Sequence, residues 1–311
     1  MPPPRDIHPI RAARQHLAPA VLAGALALAA ASNAATPGAQ AYYERALMHA
    51  ADGRCHLFAP EVGSALASAE AQARGAALRA GASNSAVRAL QAQAAAKQAG
   101  LACNSKDLGV AATRVKTAFE GYSHLIRMTF PGDDVSWQAD RTLPLRTPIW
   151  RLSQPASAGP TRIMFGLAGD YSHPAQLLAV GDFAPGETPY AAQLMVRDIA
   201  RAPEPYLQAV SVSAWARLPL AERAPPRAAV LAFTAEARAS ADKTLLPHGS
   251  TSGMAFRFPA SAAQALTGLD PREAVTLVFL IQDASGARAQ RAYVEVGDFA
   301  AGQAFLTAAP R

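Results

Sequence analysis

The chain has 311 residues and a net charge of +6, with 17% charged residues, 21 Gly and 24 Pro, a balance that excludes a disordered or collagen-like chain. Half the residues are nominally apolar, but 76 of them are alanine, so large core-forming side chains make up roughly a quarter of the sequence. Its positive charge comes from 25 Arg and four Lys scattered without a basic run, which leaves no stripe to follow a phosphate backbone and sets nucleic acid aside as a partner.

The first 34 residues read as a secretory signal. Arg5, Arg11 and Arg14 precede an uncharged stretch from Leu17 to Ala31, too short to span a bilayer comfortably, and Ser32-Asn33-Ala34 supplies the small residues of a cleavage site. Cleavage after Ala34 would leave a periplasmic or secreted protein without a transmembrane segment. Export gives the two cysteines a meaning, because a pair and no others in an oxidising compartment predicts one disulfide, Cys55–Cys103. Closing that loop stabilises a fold by about 4 kcal/mol in the chain-entropy picture. A nucleophilic role for Cys55 with His56 is a poor alternative, since adjacent side chains point apart.

Residues 35–121 predict a helical domain of about four helices, being rich in Ala, Gln and Arg and poor in β-branched residues. Thr36-Pro37 opens the first and Gly53 closes it, with Tyr43, Leu47 and Ala50 on its apolar face. Pro60 opens the second, whose stripe is Leu66, Ala69, Ala73, Ala77 and Ala80, ending at Gly81. Ser83 or Ser85 caps the third, carrying Val87, Leu90, Ala94 and Ala95 to Gly100. The fourth starts near Asn104 or Ser105, carries Leu108, Ala112, Val115, Phe119 and Tyr122 at helical spacing, and stops near Gly121. Faces made of alanine bury little area each, so the predicted disulfide ties together a thin bundle.

From residue 122 the texture changes to short β-branched and aromatic runs. Strands are predicted at His124–Phe130, Val135–Asp140, Pro148–Leu152, Arg162–Ala168, Ala175–Phe183, Ala192–Ile199, Leu207–Leu218, Ala228–Ala237, Met254–Phe258, Val275–Gln282 and Arg291–Phe299. The fold class is therefore α+β, a helical domain followed by a β-sandwich region over 122–311.

That region is internally duplicated. Ala139-Asp140-Arg141-Thr142-Leu143 recurs as Ala241-Asp242-Lys243-Thr244-Leu245, and Trp150-Arg151-Leu152 as Phe256-Arg257-Phe258, each followed shortly by Pro-Ala-Ser. Ile163-Met164-Phe165 answers Leu277-Val278-Phe279, and Val180-Gly181-Asp182-Phe183 answers Val296-Gly297-Asp298-Phe299. Ile163, Phe165 and Leu167 alternate as Leu277, Phe279 and Ile281 do, so the two copies present the same faces. Repeat one covers about 122–186 and repeat two about 224–302, with a connecting segment at 187–223. The second copy is longer, and Ala260 to Thr267 reads as a short helix inserted between two strands.

Recognisable catalytic chemistry is sparse. His49, His56, His124, His173 and His248 form no metal-binding helix motif, and no phosphate-cradling glycine loop occurs. Gly249-Ser250-Thr251-Ser252-Gly253 has Thr where a nucleophile elbow has Ser and lies between β-segments, so it reads as a flexible loop. Ser240 and Lys243 satisfy S-x-x-K but fall in the β-repeat, without the companion motifs. The repeated Asp140, Asp242, Asp182 and Asp298, and the pair Asp133-Asp134, read as turn residues before they read as paired acids or calcium ligands. The sequence therefore predicts no catalytic, cofactor-binding or metal residues, and no cofactor. The expected function is non-catalytic binding or scaffolding in the cell envelope, through a sheet face or the groove between repeats, with envelope polymers or another envelope protein as partner. An envelope hydrolase acting on glycan or peptide at the junction of helical and β domains is the alternative, and an assembly subunit joining partners through a strand edge is a third reading.

Overall fold

The computed structural model describes residues 37–207, 212–215 and 217–307; the predicted signal at 1–34 lies outside the described residues. Four helices come first, α1 (Pro37–Cys55), α2 (Pro60–Arg79), α3 (Asn84–Ala99) and α4 (Lys106–Ser123). Two of the predicted caps are present, with Ser83 Oγ accepting from the Ala86 amide at 3.1 Å and Ser105 Oγ from the Leu108 amide at 3.3 Å. Gly53 does not end α1. The helix runs on to Cys55, and the chain turns at His56, whose φ of 50° puts it in the left-handed region. Asp52 fixes that turn, its backbone carbonyl accepting from the His56 amide and its side chain from the Phe58 amide. The buried face of α1 is also rotated by one residue from the expected stripe, to Ala39, Tyr42 and Ala46, with Tyr43 and Leu47 packed beside it.

Small residues let these helices approach closely. A Cβ on Gly38 of α1 would lie 2.6 Å from the Ala77 backbone nitrogen of α2, so only glycine fits that crossing. The layer holds two small apolar clusters, one around Ala39, Tyr42, Ala73, Ala77 and Leu78, the other around Met48, Leu66, Leu108 and Ala112. The disulfide Cys55–Cys103, with Cα atoms 5.5 Å apart, joins the end of α1 to the turn before α4. Arg54 donates to the carbonyls of Gln98 and Leu101, closing the end of α3 against the same turn.

Eleven strands follow among the described residues: β1 (Arg127–Phe130), β2 (Trp137–Asp140), β3 (Ile149–Ala158), β4 (Thr161–Gly169), β5 (Gln176–Asp182), β6 (Thr188–Arg197), β7 (Val230–Thr234), β8 (Ala237–Ser240), β9 (Met254–Arg257), β10 (Ala274–Asp283) and β11 (Gly286–Glu295). Between and after them lie the short helices α5 (Val212–Trp215) and α6 (Leu220–Arg223), then α7 (Ala260–Thr267) and α8 (Phe299–Thr307). The strands form a seven-stranded sheet, ordered β1-β2-β3-β4-β5-β9-β8, and a four-stranded sheet, ordered β11-β10-β6-β7, all paired antiparallel. Both sheets contribute to a single aromatic-rich core that includes Trp137, Phe165, Phe256, Phe258, Phe279 and Phe299. Trp137 stacks edge-on against Phe299 with ring centroids 5.0 Å apart, and its indole N–H donates to the Val296 carbonyl at 2.9 Å.

Two expected strands are corrected. The run at Leu207–Leu218 contains helix α5, where Trp215 is buried in a segment bracketed by prolines at 203, 205 and 219 that disrupt sheet pairing. The strand placed at Arg291–Phe299 ends at Glu295, because Gly297 takes a φ of 47° and the chain turns into α8.

The matched segments at Trp150 and Phe256 and at Ile163 and Leu277 fall on strands in both copies, whereas Val180–Asp182 lie in β5 and Val296–Asp298 in the turn before α8, and the copies are laid out differently. β2 to β5 form a continuous meander in the larger sheet, whereas β8-β9 join that sheet and β10-β11 the smaller one. The inserted helix α7 carries the chain from one sheet to the other. β5 pairs with β9, so the copies meet edge to edge in the larger sheet.

Helix α2 rests on α8. Ser68, fully buried, donates to the Ala301 carbonyl at 2.8 Å and accepts from the Tyr122 hydroxyl at 2.6 Å. Arg79 grips Asp298 with two 2.9 Å hydrogen bonds, and Asn84 donates to Asp270 at 2.8 Å.

Candidate functional site

The repeated acids sort into two roles. Asp140 and Asp242 accept the amides of Thr142 and Thr244 at 2.7 and 3.0 Å, which is the expected turn chemistry, and these bonds help hold both carboxyls below their ordinary range. Asp182 and Asp298 instead join distant elements. Asp182 accepts from Arg162 at 2.6 Å and from Ser250 Oγ at 2.8 Å, while Asp298 takes Arg79. The hydrogen bond from Ser250, with the Arg162 guanidinium, lowers the Asp182 carboxyl. Burial outweighs Arg79 at Asp298 and pushes it up.

The Gly249–Gly253 segment is therefore pinned rather than free, since Arg162 also donates to the carbonyls of His248 and Gly249. Ser250 gives its hydrogen bond to a carboxylate and not to a histidine. Ser240 ends strand β8 and Lys243 lies in the turn beyond it, so the S-x-x-K spacing does not place them on one helical face.

Asp133 and Asp134 form a turn held by one buried carboxylate. Glu295 accepts the amides of Asp133, Asp134 and Val135 at 2.6, 2.8 and 3.0 Å, and Arg223 reaches both Glu295 and Asp134. Burial and the negative charge of Glu295 push Asp133 up to about 6. The histidines stay apart, with His49 on Glu70 at 2.5 Å and His173 on Asp170 at 3.0 Å. Among the described residues, no group of three or more His, Cys, Asp or Glu is arranged to hold a metal ion.

Polar groups from separate elements converge elsewhere, in a cleft of about 710 Å³ beside the junction of the two copies. β3, β4 and β5 line one part of it and β9, α7 and α8 the rest, through Arg151, Gln176, Arg257, Gln303, Leu167 and Phe258 among others. Arg151 owes its place to a β-bulge. Trp150 pairs with Ala168 and Leu152 with Leu167, leaving Arg151 with no residue opposite. Gly166 makes the neighbouring close approach possible, because a Cβ there would lie 1.9 Å from the Leu152 carbonyl oxygen.

Arg151 is buried, and donates from Nε to the Asp140 carbonyl at 2.7 Å and from Nη2 to the Arg141 carbonyl at 3.3 Å. Burial lowers its pKa while the charge of Asp140 opposes the shift, and a guanidinium stays cationic throughout. Arg257 ends β9 between Leu178 of β5 and Ala237 of β8. Its Nε is removed from solvent and has no hydrogen-bond acceptor. Sequence reasoning quoted both arginines only as repeat matches. The available signal was a basic residue standing at the same place between large apolar neighbours in each copy.

Family models, curated proteins and solved structures were each compared with the chain, and none matches.

Proposed function

We propose that this protein is an exported, non-catalytic binding module of the cell envelope, and that its ligand occupies the cleft beside the junction of the two β-copies. The observation that carries this reading is the pairing of Arg151 and Arg257, equivalent residues of the two repeats, on the wall of one cleft. A volume of about 710 Å³ lies within the range of small-molecule sites. Guanidinium and amide groups hold and orient a ligand, whereas hydrolysis calls for an activated nucleophile beside a base. Ser250, one of two serines in the glycine-flanked loop, is engaged with Asp182. Export is supported by the signal-like first 34 residues and the disulfide. Among the described residues no helix is long and apolar enough to cross a membrane.

The test is ligand retention seen by native mass spectrometry after incubation with a small-molecule extract of cell envelopes. The wild type should carry a bound mass that Ala260→Trp loses, since Ala260 is exposed and lines the cleft. No retained mass, a mass unaffected by the plug, or its conversion to a cleaved product would overturn the reading.

A further inference from the structure

We infer that the ligand of this cleft is an organic acid, a carboxylate carried on an apolar body, with Arg257 as its principal anchor. The inference rests on the binding-module reading and adds the chemical class of the ligand.

Four other arginines that are buried or partly buried supply the contrast, while buried Arg141 donates to the carbonyls of Phe305 and Leu125. Arg197 meets Glu273 at 2.7 Å, Arg79 meets Asp298 at 2.9 Å, Arg272 meets Asp270 at 2.8 Å, and Arg223 reaches Glu295 and Asp134. Among the described residues neither Arg151 nor Arg257 has a carboxylate within ion-pair distance. Arg151 spends two of its nitrogens on backbone carbonyls, which neutralise no charge. Arg257 stands on the cleft wall with its Nε closed off from solvent, so its terminal guanidinium nitrogens are what it offers a ligand. A guanidinium without a counter-charge beside an apolar wall favours an anion, and a carboxylate oxygen is its natural acceptor.

The rest of the lining sets the size and polarity of the ligand. Leu167, Leu177, Phe258 and Leu306 give the cleft an apolar wall, and its volume far exceeds that of a bare inorganic anion. Glu236 lies on the same lining, so two arginines face one carboxylate there and the net charge of these side chains suits a singly charged anion. A monoanion with an apolar body satisfies all three features. Gln176 and Gln303 offer further hydrogen-bonding groups to polar substituents.

Calorimetric titration of the purified protein with four probes tests the assignment: decanoate, 4-phenylbutyrate, decanol and inorganic phosphate. The expected result is that one or both carboxylates bind, that decanol and phosphate bind at least about tenfold more weakly, and that Arg257→Gln removes the carboxylate preference. Circular dichroism confirms that this variant is folded; Arg151→Gln is the less clean choice because Arg151 also holds backbone carbonyls. Equal binding of decanol and decanoate, tighter binding of phosphate, binding unchanged in Arg257→Gln, or no binding of either carboxylate would each overturn the organic-acid assignment. Failure of that assignment alone leaves an envelope-derived mass that is still lost on plugging with Ala260→Trp; failure of the binding module removes that mass as well.

Discussion

The helical layer and the β-region are held together by different physics. In the helices the buried side chains are mostly alanine, so each contact removes little apolar area from water, and stability comes from close backbone approach and the disulfide. In the sheets, Trp137, Phe130, Phe165, Phe256, Phe279 and Phe299 are at most 1% exposed and interlock across one core. The thin layer leans on a covalent link where the β-region combines a thick aromatic core with buried ion pairs such as Arg197 with Glu273. Between the two lies a seam of buried ion pairs and hydrogen bonds, Arg79 with Asp298 and Asn84 with Asp270, where α2 and α3 meet the β-region.

The strongest challenge to this contrast is Trp137→Ala, which should cost about 3–5 kcal/mol in urea unfolding, because it empties the aromatic core and removes the indole hydrogen bond to Val296. A loss below about 1 kcal/mol would mean that the sheets do not depend on that core. Removing the disulfide with Cys55→Ala and Cys103→Ala together should cost about 2–4 kcal/mol, read in the same way. Hydrogen exchange should place that loss first in α1 to α4 while the β6 and β10 amides stay protected. Arg79→Ala should cost about 2–3 kcal/mol by leaving the buried Asp298 carboxyl without its counter-charge; an effect near zero would show that the seam is dispensable.

The smallest effect concerns pH. Asp133 titrates at about 6 in the folded protein, above its value in an unfolded chain, so the folded state binds this proton more tightly. As pH rises from about 4 to about 6 the unfolded chain releases its proton first, and stability from this group falls across that window and stays low above it. Asp133→Asn should therefore raise the melting temperature at pH 7 and leave it nearly unchanged at pH 4. A gain of equal size at both values would contradict the assignment.

Local features were legible in the sequence, and long-range ones were not. Pro60, Ser83 and Ser105 announced helix starts because capping is a contact within one turn, and α7 was readable at Ala260–Thr267 as an insertion in the repeat. Helix α8 was read partly as strand, since Phe299 continues an apolar run and only the positive φ at Gly297 reveals the break. The division of the second copy between two sheets depends on β5 meeting β9, a pairing of residues about 75 positions apart that no local pattern encodes. The candidate site has the same origin. Arg151 and Arg257 were visible as matched letters, but the bulge at Arg151 and the cleft they share exist only once the sheet has formed.

The most direct test follows the Arg257 Nε–Hε resonance by 15N NMR while decanoate is added. The account predicts that this resonance shifts as the carboxylate meets the guanidinium, a change absent in the Ala260→Trp variant. A resonance that stays in place while decanoate perturbs residues remote from the cleft would contradict it.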